Sequence, residues 1–580
     1  MDKVYSFSPS HMNYRLLLIV LSLFSLTTMA QTNIYQVLPR LYGNTRNNNI
    51  KNGTLAENGC GKFVDFTSSR LKKLQQNGYT HIWYTGLIAH ATQTAYQNLP
   101  QDNPEVVKGK AGSPYAIKDY YDVDPDLATI TQNRMQEFEA LVERTHKAGL
   151  KMLIDFVPNH VSRQYHSIAR PKGTSDLGQN DDITKAFDST NNFYYCPNEP
   201  LKLNNILGHE GSYKESPAKA TGNDRFDAEP NKNDWYETIK LNYGVNYFDN
   251  RSKHFDPIPD TWLKMTDILR YWAQKGIDGF RCDMAEMVPV EFWNYALSRL
   301  KADYPHLIFI AEVYNPAEYR NYLHQGKFDY LYDKVGLYDT LRSVVCGQSS
   351  ASAITSCWQA IDDIRPNMLN FLENHDEQRI ASDFFATNPF KALPALVVSA
   401  CLSNNPFMVY AGQELGERGM DDEGFSGCDG RTTIFDYWTV SSYLRLLKGK
   451  ASYTSNEKKL SDYYTKLLQI RRDTPAISQG KMFDLMYVNN TRANNFNPDK
   501  QYAFLRSDGK HHILIVANFD ATPTQVGVCI PAHAFDYLSL KAGKHKAKDL
   551  LTGKKYTLDL QQDKIVSLSL PAYGATLLSF

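Results

Sequence analysis

Four short segments of this chain end an apolar run in charge. They are Asp155-Phe-Val-Pro-Asn159-His160, Gly279-Phe-Arg281-Cys-Asp283, Phe309-Ile-Ala-Glu312 and Phe371-Leu-Glu373-Asn-His375-Asp376. Any one of these acids alone reads as an ordinary ion pair or helix cap. Brought to one rim they would repel, and each would raise the others' pKa. Such a cluster is kept where chemistry or a cation uses it. Two carboxyls about 5 Å apart suit double displacement at an acetal carbon, one attacking while the other protonates the leaving oxygen. Arg281 stands two residues before Asp283, on the same strand face by the period of two. A guanidinium there keeps Asp283 ionised, as a nucleophile must be. Glu312 needs the opposite treatment, a pKa raised by neighbouring carboxylates so that it can give up a proton.

Segments this far apart meet only if strand ends line up. From residue 33 onward short apolar runs alternate with longer amphipathic stretches, the pattern of βα units on a parallel sheet. The spacing predicts eight strands, at 34–38, 81–84, 152–156, 279–283, 308–312, 330–332, 368–372 and 407–410. Helices are expected between most of them, at 132–148, 261–275 and 289–302. Eight such units predict an α/β fold, a (β/α)8 TIM barrel with its active site at the C-terminal strand ends. Residues 161–256, rich in Asn, Asp, Gly, Tyr and Pro, read as an inserted subdomain (domain B) after the third strand. That leaves 31–160 and 257–475 for the barrel. Beyond Pro475, short alternating runs at 502–506, 512–518, 524–530, 565–570 and 576–580 predict a C-terminal all-β sandwich over 476–580.

The N-terminus carries an address. Arg15 precedes Leu16 to Leu26, a run with only Ser22 and Ser25 polar, and Thr28-Met-Ala30-Gln31 follows. This is the pattern of a signal peptide over 1–30. The apolar run is too short to span a bilayer, which takes about 20 residues. The mature chain is expected to start near Gln31, to be exported to a periplasm or beyond the cell, and to keep no membrane span. Eight cysteines include no CxxC pair, which argues against a zinc ribbon. Export permits disulfides; Cys346 and Cys357 are nearest in sequence, and their pairing stays open. With 63 basic and 63 acidic residues the formal net charge is zero, so no nucleic-acid partner is expected. The 37 tyrosines suit sugar or peptide contacts as well as a core. No Walker or dinucleotide-binding glycine motif occurs, so no organic cofactor is implied.

In order, content and spacing the four segments resemble the four signature regions of the α-amylase family, glycoside hydrolase family 13. The likeness runs over roughly residues 33–580. It implies a retaining glycosidase that cleaves α-1,4-glucosidic bonds in starch, glycogen or maltooligosaccharides through a glycosyl-Asp283 intermediate. By that resemblance Asp283 is the nucleophile and Glu312 the general acid/base. Asp376 is the third acid, which binds sugar hydroxyls and stabilises the transition state. Arg281 supports the nucleophile, His160 and His375 touch the sugar in the −1 subsite, and Asp155 is mainly structural. Tyr115, in Ser113-Pro-Tyr-Ala-Ile-Lys-Asp-Tyr120, resembles the tyrosine stacked under the −1 glucose.

Three departures matter. Where many α-amylases carry Lys-His after the nucleophile, this chain has Glu286 and Met287. The motif that gives the family an aspartate for calcium reads Thr238-Ile-Lys240-Leu-Asn242 here. A hard cation takes oxygen ligands, and Lys240 would repel it. No metal is therefore expected at the usual site, although Asn159 matches one ligand, and Lys240 stands in for the ion electrostatically. Finally, Ala116 occupies the place where exo-acting α-glucosidases of the family tend to carry Asp, which favours binding of internal α-glucan segments. Two other readings stay open. One is a transglycosylase such as a maltosyltransferase, sharing every catalytic residue, with Glu286 on the acceptor side. The other is an inactive glucan-binding protein, against which the presence of all three acids argues. The oligomeric state is not legible.

Overall fold

The computed structural model describes residues 31–204, 206 and 210–580, so the signal peptide expected over 1–30 lies outside the described residues. Eight parallel strands form the centre: β1 (Asn33–Val37), β2 (His81–Tyr84), β3 (Lys151–Phe156), β4 (Gly279–Cys282), β5 (Ile308–Ala311), β6 (Tyr330–Tyr332), β7 (Met368–Leu369) and β8 (Phe407–Tyr410). Neighbours in sequence are neighbours in the sheet, and β1 also pairs with β8. The ring closes where Asn370 bridges to Phe407 and the Met408 amide donates to the Asn370 carbonyl at 2.9 Å. Strand β7 is shorter than expected because the chain leaves the ladder after Asn370 and carries Glu373 and His375 away from it. Asp283 and Glu312 likewise fall one residue beyond β4 and β5, on the rim rather than in the ladder.

Both faces of the sheet are buried, as a parallel barrel requires. Ile34, Trp83, Leu153, Ile310, Tyr332, Leu369 and Met408 point inward and pack as one cluster. Each comes from a different strand, and β4 contributes Arg281 in register with Asp155 and Ile310. The outer faces meet helices. In the helix Arg134–Lys147 the buried residues Phe138, Leu141, Val142 and Thr145 recur at helical spacing. Each large side chain buried this way stabilises by about 1.5–3 kcal/mol.

Two excursions rise over the C-terminal mouth. A hairpin, Ile88–His90 with Ile117–Val123, carries the Tyr115 loop after β2. The longer one follows β3, and its described residues form three short antiparallel pairs and no helix. Its first and last strands, His160–Ser162 and Thr238–Lys240, pair with each other.

The C-terminal part holds β9 (Lys481–Asp484), β10 (Gln501–Ser507), β11 (His512–Asn518), β12 (Thr524–Ile530), β13 (Gly543–Asp549), β14 (Lys555–Leu560), β15 (Lys564–Leu570) and β16 (Gly574–Ser579). Six of them form an antiparallel sheet in the order β9-β10-β11-β16-β13-β14, and β12 pairs with β15. The five expected strands are all present, as β10, β11, β12, β15 and β16; β9, β13 and β14 join them, and the helix Ala532–Leu538 interrupts the β region. Strand β13, Gly-Lys-His-Lys-Ala-Lys-Asp, hides its alternation behind lysines, and of its residues only Ala547 and Asp549 are buried.

Two buried arginines stand near this boundary, and the one from β10 ties the C-terminal part to the barrel. From β10, Arg506 donates to the carbonyls of Cys401, Ala476, Ile477 and Gly480 at 2.6–3.3 Å. Arg471 donates to the carbonyls of Ala400 and Asn405 and to Asn33 Oδ1. All eight cysteines are free thiols, Cys346 and Cys357 included. Among the described residues no helix is long and apolar enough to cross a membrane.

Candidate active site

Arg281 is the buried hub. Its guanidinium carbon lies 5.4 Å from the ring centres of Trp83 and Tyr332 and 5.5 Å from that of Tyr115. Nε donates to the Tyr332 hydroxyl at 3.1 Å. One terminal nitrogen donates to Asp283 Oδ1 at 2.6 Å, with Asp155 Oδ1 3.8 Å away, and the other pairs with Glu312 Oε1 at 2.7 Å. The sequence pointed to an arginine serving Asp283 alone; in the structure one guanidinium serves both acids. Asp283 and Glu312 are thus brought together on one guanidinium.

Burial raises the pKa of both Asp283 and Glu312, and Arg281 pulls both back. For Glu312 the Asp283 charge adds to the rise, but burial is the larger cause, which corrects the expectation that neighbouring carboxylates do the work. Asp155 accepts the Gly86 amide at 3.0 Å and is pushed up to about 7 by burial. Asp376 lies on the rim, its side chain 41% exposed, and is pushed up to about 8 by the enclosing walls and then by Glu312.

The turn after β7 supplies His375. Gln36 Nε2 donates to its Nδ1 at 2.7 Å, so the hydrogen-bond network assigns the imidazole proton to Nε2. Nε2 contacts the Tyr115 hydroxyl and lies 3.1 Å from Asp376 Oδ2. The Tyr115 ring stacks on His375 at 5.2 Å. Burial and Arg281 keep His375 neutral, and burial brings His160 down to about 4, so both imidazoles are uncharged at pH 7. Glu373 does not join them. It pairs with Arg379 at 2.8 Å inside the wall and accepts the Ile380 amide. The structure thus gathers Asp283, Glu312, Asp376, Tyr115, His160, Arg281 and His375 around one mouth.

The cleft above them, about 230 Å³ and open to solvent, has walls that spacing did not reveal. Trp235, at φ +44°, lies 5.3 Å from His160 by ring centres. Lys108 and Glu237 form an ion pair at 2.9 Å that joins the Tyr115 loop to the excursion after β3. Phe435 comes from the long loop after β8, and Tyr314 from the turn after β5. None of these sits at the end of an apolar run. Their only sequence signal is an aromatic or charged side chain in a loop.

At the position where the family resemblance implies calcium, Lys240 is 2% exposed. Its Nζ donates to Asn159 Oδ1 and pairs with Asp224 Oδ1, both at 2.6 Å. A calcium ion takes six to eight oxygens at about 2.3–2.6 Å. Here the two side-chain oxygens that could start such a shell are already held by an ammonium. The residues present do not fit the ion.

A family model described as "Alpha amylase, catalytic domain" matches residues 36–480. Alpha-amylase 3 of Dictyoglomus thermophilum is 25% identical over 394 residues, covering 63% of this chain and 68% of that protein. Neopullulanase 2 of Thermoactinomyces vulgaris is 20% identical over 502 residues, covering 84% and 68%. Among solved structures, a noncanonic maltogenic alpha-amylase, AmyB, from Thermotoga neapolitana superposes with a TM-score of 0.62 at 20% identity, covering 95% of this chain and 98% of that one.

Proposed function

Because the chain belongs to the α-amylase family of glycoside hydrolases, we propose that it is a retaining enzyme that cleaves α-1,4-glucosidic bonds in α-glucans. The observation that carries this reading is the shared guanidinium, which holds Asp283 and Glu312 together at the foot of an open cleft. Asp283 attacks the anomeric carbon while Glu312 protonates the leaving oxygen. Glu312 then takes a proton from water, and that water releases the sugar from Asp283. Asp376 and the neutral His375 and His160 hold sugar hydroxyls, with Tyr115 beneath the ring. Residues 31–160 with 257–475 form the catalytic part, 161–256 the insert and 476–580 the C-terminal part. Residues 1–30 export the chain, and Lys240 makes it independent of calcium.

The transferase reading shares every catalytic residue with this one. Glu286, expected on the acceptor side, spends one carboxylate oxygen on the amides of Tyr314 and Asn315. Time-resolved proton NMR of the mature protein with a defined maltooligosaccharide and a chelator tests the proposal. Shorter products with α-anomeric new ends are expected. New β-anomers would overturn retention. Products longer than the substrate, at a constant number of reducing ends, would make it a transglycosylase.

A further inference from the structure

The turn after β5 could be loose, because it has left the ladder and faces solvent. Instead its first residues are fixed from two sides. The Tyr314 hydroxyl donates to Glu312 Oε1 at 2.6 Å, beside the Arg281 nitrogen on the same oxygen. The Met284 amide donates to Glu312 Oε2 at 2.7 Å, from a residue at φ +42°. A non-glycine residue adopts that conformation at a cost, and here it aims an N–H at the acid. Both oxygens of Glu312 are therefore oriented.

Tyr314 is held in turn. Glu286 Oε2 accepts the amides of Tyr314 and Asn315 at 3.1 and 3.0 Å. Glu286 sits in the single turn Ala285–Met287 after β4, and the Tyr322 hydroxyl fastens that turn through the carbonyls of Glu286 and Val288 at 3.0 and 2.9 Å. A continuous chain of contacts thus runs from the β4 turn to the acid just past β5.

We propose that Tyr314 is a positioning residue for proton transfer: its hydroxyl sets the attitude of the Glu312 carboxyl toward the leaving oxygen, and Glu286 clamps Tyr314 in place. This rests on Glu312 being the acid/base. The chemistry gives it a signature. Cleaving a sugar–sugar bond needs a proton on the leaving oxygen, whereas fluoride leaves without one, so a displaced acid slows only the first. The Tyr314 donor also stabilises the carboxylate form of Glu312, so its loss raises the affinity of Glu312 for protons.

The test compares Tyr314→Phe with the wild type, in the full mature chain, on a maltooligosaccharide and on α-maltosyl fluoride. On the oligosaccharide, kcat/KM is expected to fall about 10–100-fold, a fraction of what general acid catalysis contributes. The basic limb of its pH profile should move upward. On the fluoride, kcat/KM should stay within about threefold, which also shows that the variant is folded. Glu286→Ala should give the same pattern more weakly, and Glu286→Gln, which keeps an acceptor oxygen, should restore part of it. Equal losses on both substrates, or an unmoved pH profile, would overturn the inference. A wild type inert toward both would overturn the functional reading beneath it, and the inference with it.

Discussion

Arg281 and Arg506 are both fully buried, yet their surroundings are opposites. Arg506 meets only carbonyl oxygens, and Arg471 meets carbonyls and one asparagine. Two of those carbonyls, Ala400 and Cys401, end the helix Leu393–Cys401, where partial negative charge collects. The planar five-donor fork of arginine suits that work. Around Arg281, by contrast, the carboxylates of Asp283, Glu312 and Asp155 share one guanidinium. The seam holds its arginines by carbonyl and amide oxygens alone, burial pushes both guanidinium pKa values down to about 9, and it serves cohesion. The rim gathers acids whose pKa values are raised chiefly by burial, with neighbouring carboxylates adding to the rise of Glu312 and Asp376. A buried charge reports function when its partners can themselves take up or give a proton, not merely when it is buried.

The contrast can be broken most sharply at Asp283. Asp283→Asn should lower kcat by about 10⁴-fold or more while leaving the melting temperature unchanged or higher, because it relieves the acidic excess. Initial rates and calorimetry on one preparation would check both halves, and a large drop in melting temperature would erase the distinction. The seam should behave the other way. Arg506→Met leaves four carbonyls without their donor and should cost about 3 kcal/mol or more, read by chemical denaturation, with KM little changed.

A smaller effect follows from pH. Asp155 and Glu373 are both raised to about 7, above their values in an unfolded chain. Between about pH 4 and 7 these two groups therefore hold more protons in the folded state than in the unfolded one. Their contribution to stability is greatest at the acid end of that window and is lost as pH rises through 7. Because His160 and His375, buried neutral, pull the other way toward acid, the readout is a difference: measured by denaturation midpoints, Asp155→Asn should be less favourable to stability at pH 5 than at pH 7.5. The smallest effect expected is none at all: a chelator should leave the melting temperature of the wild type where it was, because Lys240 supplies the positive charge on Asn159 and Asp224.

The rim acids were legible because a strand that ends in charge is unusual, and four such ends in order imply a ring. Strand order followed from alternation, and the misfit of Lys240 followed from its motif. The cause of the raised Glu312 pKa was not legible, because burial depends on walls brought from distant loops. Nor was the link from Glu286 to Tyr314, since a side chain that accepts two amides from another loop leaves no spacing to read. Trp235 and Lys108 were invisible for the same reason. Strand β13 escaped because its outward lysines outweigh its two inward residues.

The pairing of His160–Ser162 with Thr238–Lys240 reaches beyond geometry. The excursion after β3 leaves and returns side by side, like a drawer on a single runner. What lies between residues 163 and 237 can lengthen, shorten or be exchanged without spreading the barrel, since doubling a loop adds only about 0.6 kcal/mol of closure entropy. Asn159 and His160 stay on the fixed side of that runner, whereas Trp235 and Glu237 ride just inside its far end. Selection could therefore reshape what the mouth accepts while the bond-breaking groups below stay still.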